Sequence, residues 1–280
     1  MKILARLFFL STFFLYSFQT SAQSKERPMV TDHGYGNIVW YTLVTPNLDE
    51  SMSFYKTLLP WSFQEYTIKG QKMAVVYQNG ESIGSVVELP KADASLWIGL
   101  VSVEDLDLAT ERFTKNGGKV IVDKFSIGPV GEQIILQGPS SEKLGFFALP
   151  SKTISKLDNG EGQWLWTELW SNNVSKSRAF YEEALQLQVK ETVYDDKPYW
   201  VLEYDGKPKA GLIHNPVPGA NEQWVPYINL KDVEGAYQKL LKTKAHIMLA
   251  PTEEVRNKSI LIFEDPHGAT LCIQNYNREK

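Results

Sequence analysis

Residues 38–55 read IVWYTLVTPNLDESMSFY, and residues 164–181 repeat the pattern as WLWTELWSNNVSKSRAFY. Trp40 corresponds to Trp166, an offset of 126 residues, and the Phe-Tyr pairs that end the two stretches keep the same offset. A period of this length is much longer than that of a solenoid repeat. The sequence therefore predicts a duplicated domain.

Each copy predicts a strand, a helix and then about three strands. Asn47 has the position and side chain of a helix N-cap, and apolar residues at helical spacing follow it. The dipeptides Asn79-Gly80 and Asp205-Gly206 each separate two apolar-rich runs, a pattern that favours the tight turn of a hairpin. The first half of each copy is therefore a βαβββ unit.

The same unit recurs in the second half of each copy, where Asp105 and Asp232 are the predicted helix caps. The chain therefore holds four βαβββ units in two pairs. We expect an α+β fold of two similar domains, at 34–150 and 161–277, joined by a polar linker at 151–160. Each domain is expected to form a curved eight-stranded sheet with its helices outside.

The first 22 residues have the layout of a secretory signal peptide. Lys2 and Arg6 form a basic start, an apolar run covers 7–18, and small residues precede a cut after Ala22. The run is shorter than the roughly 18–20 apolar residues that span a bilayer. We therefore expect cleavage at 1–22 and an exported protein, periplasmic or secreted, with no stable membrane insertion afterwards.

The composition argues against nucleic acid as a partner and excludes stabilisation by a disulfide bond within the chain. Loss of Lys2 and Arg6 with the leader changes the formal net charge from −4 to −6, which argues against nucleic acid as a partner. Cys272 is the single cysteine, so no disulfide within the chain is available and stability must come from packed cores. The oligomeric state stays open, and a homodimer is one possibility.

Three short motifs accompany the paired units: Asn47-Leu48 with Ser51 and Phe54-Tyr55, the run from Val103 to Asp107, and Asp265-Pro266-His267-Gly268 before the last strand. Over about residues 35–277, these features resemble the vicinal oxygen chelate superfamily, which includes glyoxalase I, bleomycin-resistance proteins and extradiol dioxygenases. The resemblance is greatest to its tandem, hydroxylase-like branch.

The resemblance implies that each pair of units curls into a cup and that a divalent metal is held inside by four strand positions. Carried over to this chain, the four positions fall on Trp40, Glu88, Ile98 and Ala148 in the first domain and on Trp166, His214, Val225 and Cys272 in the second. Indole and aliphatic groups do not bind metal ions. The sequence therefore predicts no cofactor, with a divalent metal as the alternative.

The second cup is expected to carry the chemistry. Glu168, His214 and Cys272 take inward positions in the family pattern and are the candidate catalytic residues, as a general acid or base and a nucleophile. The candidate ligand-binding residues are Trp166, Trp170, Tyr227, Asn229, Trp40 and Thr42. Each has a structural alternative: the tryptophans fill the core, Glu168 pairs locally, and the buried thiol is inert.

The first cup is expected to be mostly apolar, with the lining Thr42, Val44, Ile98, Leu100 and Ala148. A small-molecule ligand is therefore expected in the second domain. Three hypotheses follow: a binding protein without a conventional metal centre, a metal-dependent lyase or dioxygenase, or a non-catalytic interaction protein whose cups are filled by its own side chains. The sequence leaves open whether the protein is an enzyme.

Overall fold

The computed structural model of the 280-residue chain describes residues 34–68, 70–126, 131–148, 160–194, 197–253 and 256–276. The predicted signal peptide at 1–22 and nearly all of the predicted linker at 151–160 lie outside this part of the chain. Among the described residues, no helix is long and apolar enough to cross a membrane.

The described residues of the first half form eight strands and two helices: β1 Ile38–Thr45, α1 Leu48–Leu58, β2 Ser62–Ile68, β3 Gln71–Gln78, β4 Glu81–Glu88, β5 Leu96–Ser102, α2 Leu106–Lys115, β6 Lys119–Ser126, β7 Glu132–Gln137 and β8 Lys143–Ala148. Those of the second half form the same series: β9 Trp164–Ser171, α3 Val174–Ala184, β10 Gln188–Tyr194, β11 Lys197–Tyr204, β12 Lys207–His214, β13 Gln223–Asn229, α4 Val233–Leu240, β14 His246–Leu249, β15 Ile260–Glu264 and β16 Thr270–Gln274.

Each half folds into one eight-stranded sheet. The strand orders are β2-β3-β4-β1-β5-β8-β7-β6 and β10-β11-β12-β9-β13-β16-β15-β14. In both sheets the opening strands of two units, β1 with β5 and β9 with β13, pair antiparallel at the centre. The two units of a pair therefore join within one domain, and the predicted α+β fold of two tandem curved sheets is confirmed.

Local sequence signals fix where the elements begin and turn. The Asn47 side chain accepts from the backbone N–H of Glu50 at 3.0 Å, which caps α1 as predicted. Asn79 and Asp205 have φ angles of 51° and 50°, and the glycine after each is also positive, so both dipeptides form the predicted tight hairpin turns.

The outer faces of the two sheets pack against each other through their helices. The core cluster around α1 combines residues of both domains, such as Leu48 and Met52 of the first with Val233 and Leu271 of the second. Helix α1 lies against α4, and α2 lies against α3. The concave faces have separate clusters of their own. The interface is thus part of the core of both domains.

A buried tyrosine of the first domain bonds to a carboxylate of the second. Tyr55 on α1 donates to Asp265 between β15 and β16, with an Oη–Oδ2 distance of 3.0 Å, and accepts from the Trp97 indole at 2.9 Å. Burial, followed by the negative charge of Asp265, raises the pKa of the Tyr55 phenol well above its usual value. The phenol therefore stays protonated and remains the donor.

The second domain has the same arrangement with one difference. Tyr181 on α3 donates to Glu142 before β8 at 2.8 Å and accepts from the Trp224 indole at 3.2 Å. By position in the repeat, Asp265 corresponds to Gly138, at the start of the turn between β7 and β8. The carboxylate in the first domain comes instead from Glu142, at the end of the same turn. A Cβ on Gly138 would lie 2.1 Å from the Glu142 carboxylate, so glycine there makes room for the substitute.

We expect Tyr55→Phe to destabilise the whole chain by about 2–3 kcal/mol. The change leaves the buried Asp265 carboxylate and the Trp97 indole N–H without this partner, and hydrogen bonds to charged groups contribute about 1.5–3 kcal/mol. Urea unfolding followed by circular dichroism measures the loss. Tyr237→Phe is the matched control, because Tyr237 is a half-buried tyrosine of the same core, and it is expected to change stability by less than about 0.5 kcal/mol. Equal effects of both variants would contradict the proposed role of the bond.

Candidate active site in the second cup

The concave face of the second sheet is built around a fully buried carboxylate. Glu168 on β9 has no exposed surface. The Tyr199 hydroxyl donates to its Oε1 at 3.0 Å, and the Tyr227 hydroxyl donates to its Oε2 at 2.6 Å. The Trp166 indole N–H donates in turn to the Tyr199 oxygen at 3.1 Å. Four side chains from β9, β11 and β13 therefore form one hydrogen-bonded chain, which we call the Glu168 network.

The phenols act as proton donors in this network. Burial, followed by the negative charge of Glu168, raises the pKa of the Tyr227 hydroxyl well above its usual range. Tyr227 therefore stays protonated at neutral pH. A buried carboxylate is tolerated only when hydrogen bonds replace its hydration, and the two phenols supply them. The arrangement holds a carboxylate and an indole in fixed positions.

Gly211 on β12 gives the network its space. It is the register partner of Glu168 on the neighbouring strand. A Cβ at this position would lie 2.1 Å from the Tyr199 hydroxyl and 2.9 Å from Cγ of Glu168. Any other residue would displace one of these two groups. This glycine is a member of the site that the sequence analysis missed, and its signal was a glycine inside a strand pattern.

Two tryptophans of β9 flank the network on the same face. Trp166 is half-buried and packs against the apolar cluster of the concave face. Trp170 is 1% exposed, and no described atom accepts from its indole N–H. The concave face thus holds one half-buried indole and one fully buried indole N–H.

The structure brings together two of the three predicted catalytic residues. Cys272 on β16 is fully buried and is the register partner of Tyr227, which bonds to Glu168. His214 does not join them. On β12, Gly211 and Ile213 face the cup, and alternation along the strand turns His214 to the outer face.

The expectation that His214 faces Glu168 is therefore wrong. His214 is exposed, and its ring lies edge-on against Trp200, 5.5 Å between centroids, on the side of the sheet that packs against the other domain. The prediction was wrong by one residue along β12, because Ile213, next to His214, is the residue whose side chain faces the cup.

Asn229 and Tyr227 share a strand face, but Asn229 lies at its end and has a different role. Its side-chain oxygen accepts from the backbone N–H of Tyr276 at 3.1 Å, which holds the segment after β16. Its backbone carbonyl accepts from Gly162 at 2.7 Å. Asn229 thus forms hydrogen bonds to the backbone at the edge of the cup and has a structural role there.

The first cup has a smaller polar network in the same place. The Trp40 indole donates to the Ser85 hydroxyl at 3.1 Å, and Ser85 and Thr42 share a hydrogen bond at 2.9 Å. Met73 and Leu100 occupy the positions that correspond to Tyr199 and Tyr227. The sequence analysis missed Ser85, because nothing local marks which residue of β4 faces inward.

The cluster of the first cup is mostly apolar, as predicted, but a polar residue that was not predicted, Gln133 on β7, lies beside it. Gln133 is the register partner of Phe147, which lies in the cluster of the first cup. Its side chain has no exposed surface, and neither polar atom has a partner within the described residues. Predicted member Ala148 packs instead against the outer cluster.

The metal positions of the family do not fit a metal ion in this chain. Glu88 lies on the outer side of the sheet, where its carboxylate accepts from the backbone N–H of Leu48 at 3.2 Å. His214 faces outward as well. Within the described residues, no three side chains of His, Cys, Asp or Glu come together to form a ligand set. The Glu168 oxygens already accept two phenols, so the site offers no open donor set for zinc or iron.

Comparison with known proteins accords with this fold. The sequence profile of the Glyoxalase/Bleomycin resistance protein/Dioxygenase superfamily matches residues 164–273, which cover the second sheet. A glyoxylase-like domain-containing protein of Didymella fabae is 31% identical over 104 residues, which span 34% of this chain and 79% of that protein. The chain belongs to this superfamily.

More distant relatives cover both domains of this glyoxalase superfamily member. The anthracycline biosynthesis protein DauV of Streptomyces sp. (strain C5) is 20% identical over 85% of this chain and 92% of its own length. Among solved structures, a variant homoprotocatechuate 2,3-dioxygenase from B. fuscum is 15% identical, with a TM-score of 0.59 over 88% of this chain and 73% of that one. The Mn(II)-bound glyoxalase of Novosphingobium aromaticivorans is 12% identical, with a TM-score of 0.58 over 86% and 82%. These two structures share the fold.

We expect protein purified without chelators to carry no stoichiometric transition metal, because the ligand positions hold indole, aliphatic or already bonded groups. Elemental analysis by mass spectrometry decides the point. One zinc, iron, nickel or manganese per chain that disappears in Glu168→Ala, but stays in His214→Ala, would show that the second cup is a metal centre after all. His214→Ala is the control because this histidine is exposed on the opposite face.

Proposed function

We propose that this superfamily member binds a flat small organic molecule in its second cup, without the conventional metal centre of the superfamily. The observation that carries the proposal is the half-buried Trp166 indole, which the Glu168 network holds in one orientation. An aromatic surface fixed before the ligand arrives loses little conformational entropy on binding. A stacking platform is therefore the function that the geometry supports best.

The chemistry of the cup favours binding over a reaction at Glu168. The carboxylate is fully buried and both oxygens accept phenol hydroxyls, so it presents no exposed oxygen to a ligand in the cup. Cys272 is fully buried as well, and reactive cysteines are partly exposed. The network positions Trp166, which is the half-buried aromatic group of the cup.

Two curated relatives support a flat aromatic ligand. DauV and DnrV, the latter from Streptomyces peucetius, are named for anthracycline biosynthesis, and each aligns with 85% of this chain. Anthracyclines contain a fused, flat ring system, which is the shape that stacks on an indole. We propose a ligand of this general class, a polycyclic aromatic or quinone, for the second cup.

We expect Trp166→Leu to weaken binding of such a ligand at least about tenfold, because it removes the stacking surface. Tyr199→Phe keeps the indole but removes its hydrogen bond, so it should weaken binding by a smaller factor, about 3–10-fold. Isothermal titration with a panel of anthraquinones, followed by shift mapping, measures both effects.

Trp40→Leu is the matched control, since Trp40 takes the corresponding position in the first cup, and it should leave the affinity unchanged. Binding that Trp40→Leu abolishes and Trp166→Leu leaves intact would refute the assignment to the second cup. Absence of binding by every compound of the panel would favour the interaction protein with filled cups.

We also propose that the mature protein is exported, on the strength of the basic start, short apolar run and small residues at 1–22. Expression of the full chain in a bacterial host should give a periplasmic or secreted product that begins at Gln23. N-terminal sequencing of that product tests the point. A product that retains Met1 or stays with the cytoplasmic fraction would contradict export.

A further inference from the structure

The two sides of the domain interface are related by an approximate two-fold axis, and the segment before each first strand has the same geometry on both. Gly36 donates its N–H to the Ser102 carbonyl at 2.9 Å, and Gly162 donates to the Asn229 carbonyl at 2.7 Å. Both glycines have positive φ, 77° and 78°. Gly162 lies against Pro60 after α1, and Gly36 lies against Tyr204 on β11, so the two sides can be compared at corresponding positions.

On one side this space is filled by an indole. Trp61 follows α1, is 5% exposed, and donates its N–H to the Gly162 carbonyl at 2.7 Å. Its ring packs at 5.4 Å from the ring of Trp164. A Cβ on Gly162 would meet Pro60 at 2.7 Å and Gln78 at 2.9 Å, so the segment is closely covered.

On the other side the corresponding residues are smaller or placed differently. Leu187 stands where the first domain has Trp61, and Gln186 stands where it has Pro60. The three atoms nearest to a Cβ on Gly36 all belong to the Tyr204 side chain, at 2.8–3.3 Å. A cleft of about 170 Å³ remains, lined by residues that include Gly36, Leu187 and Tyr204.

The cleft has an apolar floor and a polar rim. The floor is formed by the buried side chains Ala109, Phe146, Ala184 and Leu187. Glu104, Asp105 and Arg112 stand at the rim, two acidic groups against one basic group, which disfavours an anionic ligand. Clefts of this composition between domains are common ligand sites.

We propose that this cleft is a second ligand site, which binds a neutral, flat, bicyclic aromatic molecule with a ring N–H, such as an indole. The ligand takes the place that Trp61 fills on the other side, with its ring on the floor at Leu187. Its N–H donates to the Gly36 carbonyl, the counterpart of the Gly162 carbonyl that accepts from Trp61. The site lies on the outer faces, away from the second cup, and is independent of the function proposed there.

Indole itself is the probe. Ligand-observed NMR titration of the full mature chain should give a dissociation constant on the order of 1 mM, as expected for a fragment of this size. 1-Methylindole lacks the N–H and should bind about 3–10-fold more weakly, the factor that one hydrogen bond contributes. Equal affinities for the two compounds would overturn the hydrogen bond to Gly36.

Leu187→Trp fills the cleft from within, as Trp61 does on the other side, and should abolish indole binding. Leu187→Phe is a smaller change that keeps the test informative if the first variant folds poorly, and it should weaken binding at least about threefold. Because indole can also stack on Trp166 in the second cup, the titration is repeated with Trp166→Leu, in which the binding that depends on Leu187 should persist. Binding that survives both Leu187 variants, or that Trp166→Leu abolishes, would overturn the proposal, as would the absence of indole binding.

Discussion

The hydrogen bond between Tyr55 and Asp265, together with its counterpart between Tyr181 and Glu142, fixes how the two domains meet. Each bond joins a helix of one domain to a turn of the other, and each is buried where an unpaired partner would be costly. The apolar outer faces supply most of the attraction, but attraction between such faces has no direction. The tyrosine–carboxylate bonds give the interface its register, and with it the pairing of α1 with α4 and α2 with α3.

The duplication has kept this frame and changed what the cups contain. Thr42 and Ser85 of the first cup correspond to Glu168 and Gly211 of the second. The second cup has a carboxylate where the first has a hydroxyl, and a glycine on the neighbouring strand leaves room there for the Tyr199 phenol. A strand face that points away from the interface can change in this way without disturbing the domain contacts. The two cups can therefore diverge while the outer faces remain constrained.

Much of the fold could be predicted from the sequence because its signals are local. The repeat itself, the Asn47 cap and the two hairpin dipeptides all act over a few residues, and the structure confirms them. The strand order of each sheet then follows, because the two βαβββ units of a domain pair through their opening strands. Strand alternation also predicts that Trp166 and Glu168 share one face of β9, and the structure has both on the concave face.

The rest of the site depends on neighbours that are distant in sequence. Tyr199 was missed because only the sheet order brings β11 and β12 beside Glu168. His214 was placed wrongly because a shift of one residue along a strand reverses the face, and no sequence signal marks the inward residue of β12. The cleft beside Gly36 exists because Leu187 is smaller than Trp61, the residue at the corresponding position of the first domain. The sequence shows this difference, but only a comparison of the two sides of the interface shows that it leaves a cleft.

The core that the two domains share also affects the order in which the chain folds. Tyr55 and Asp265 are 210 residues apart, and the cluster around α1 includes side chains from β13, α4, β15 and β16. The first domain precedes those partners in the chain, so the apolar outer face of α1 stays uncovered until the last strands have folded. Contacts of such high sequence separation form late and slowly. A chain built this way completes its first domain only when its last is made.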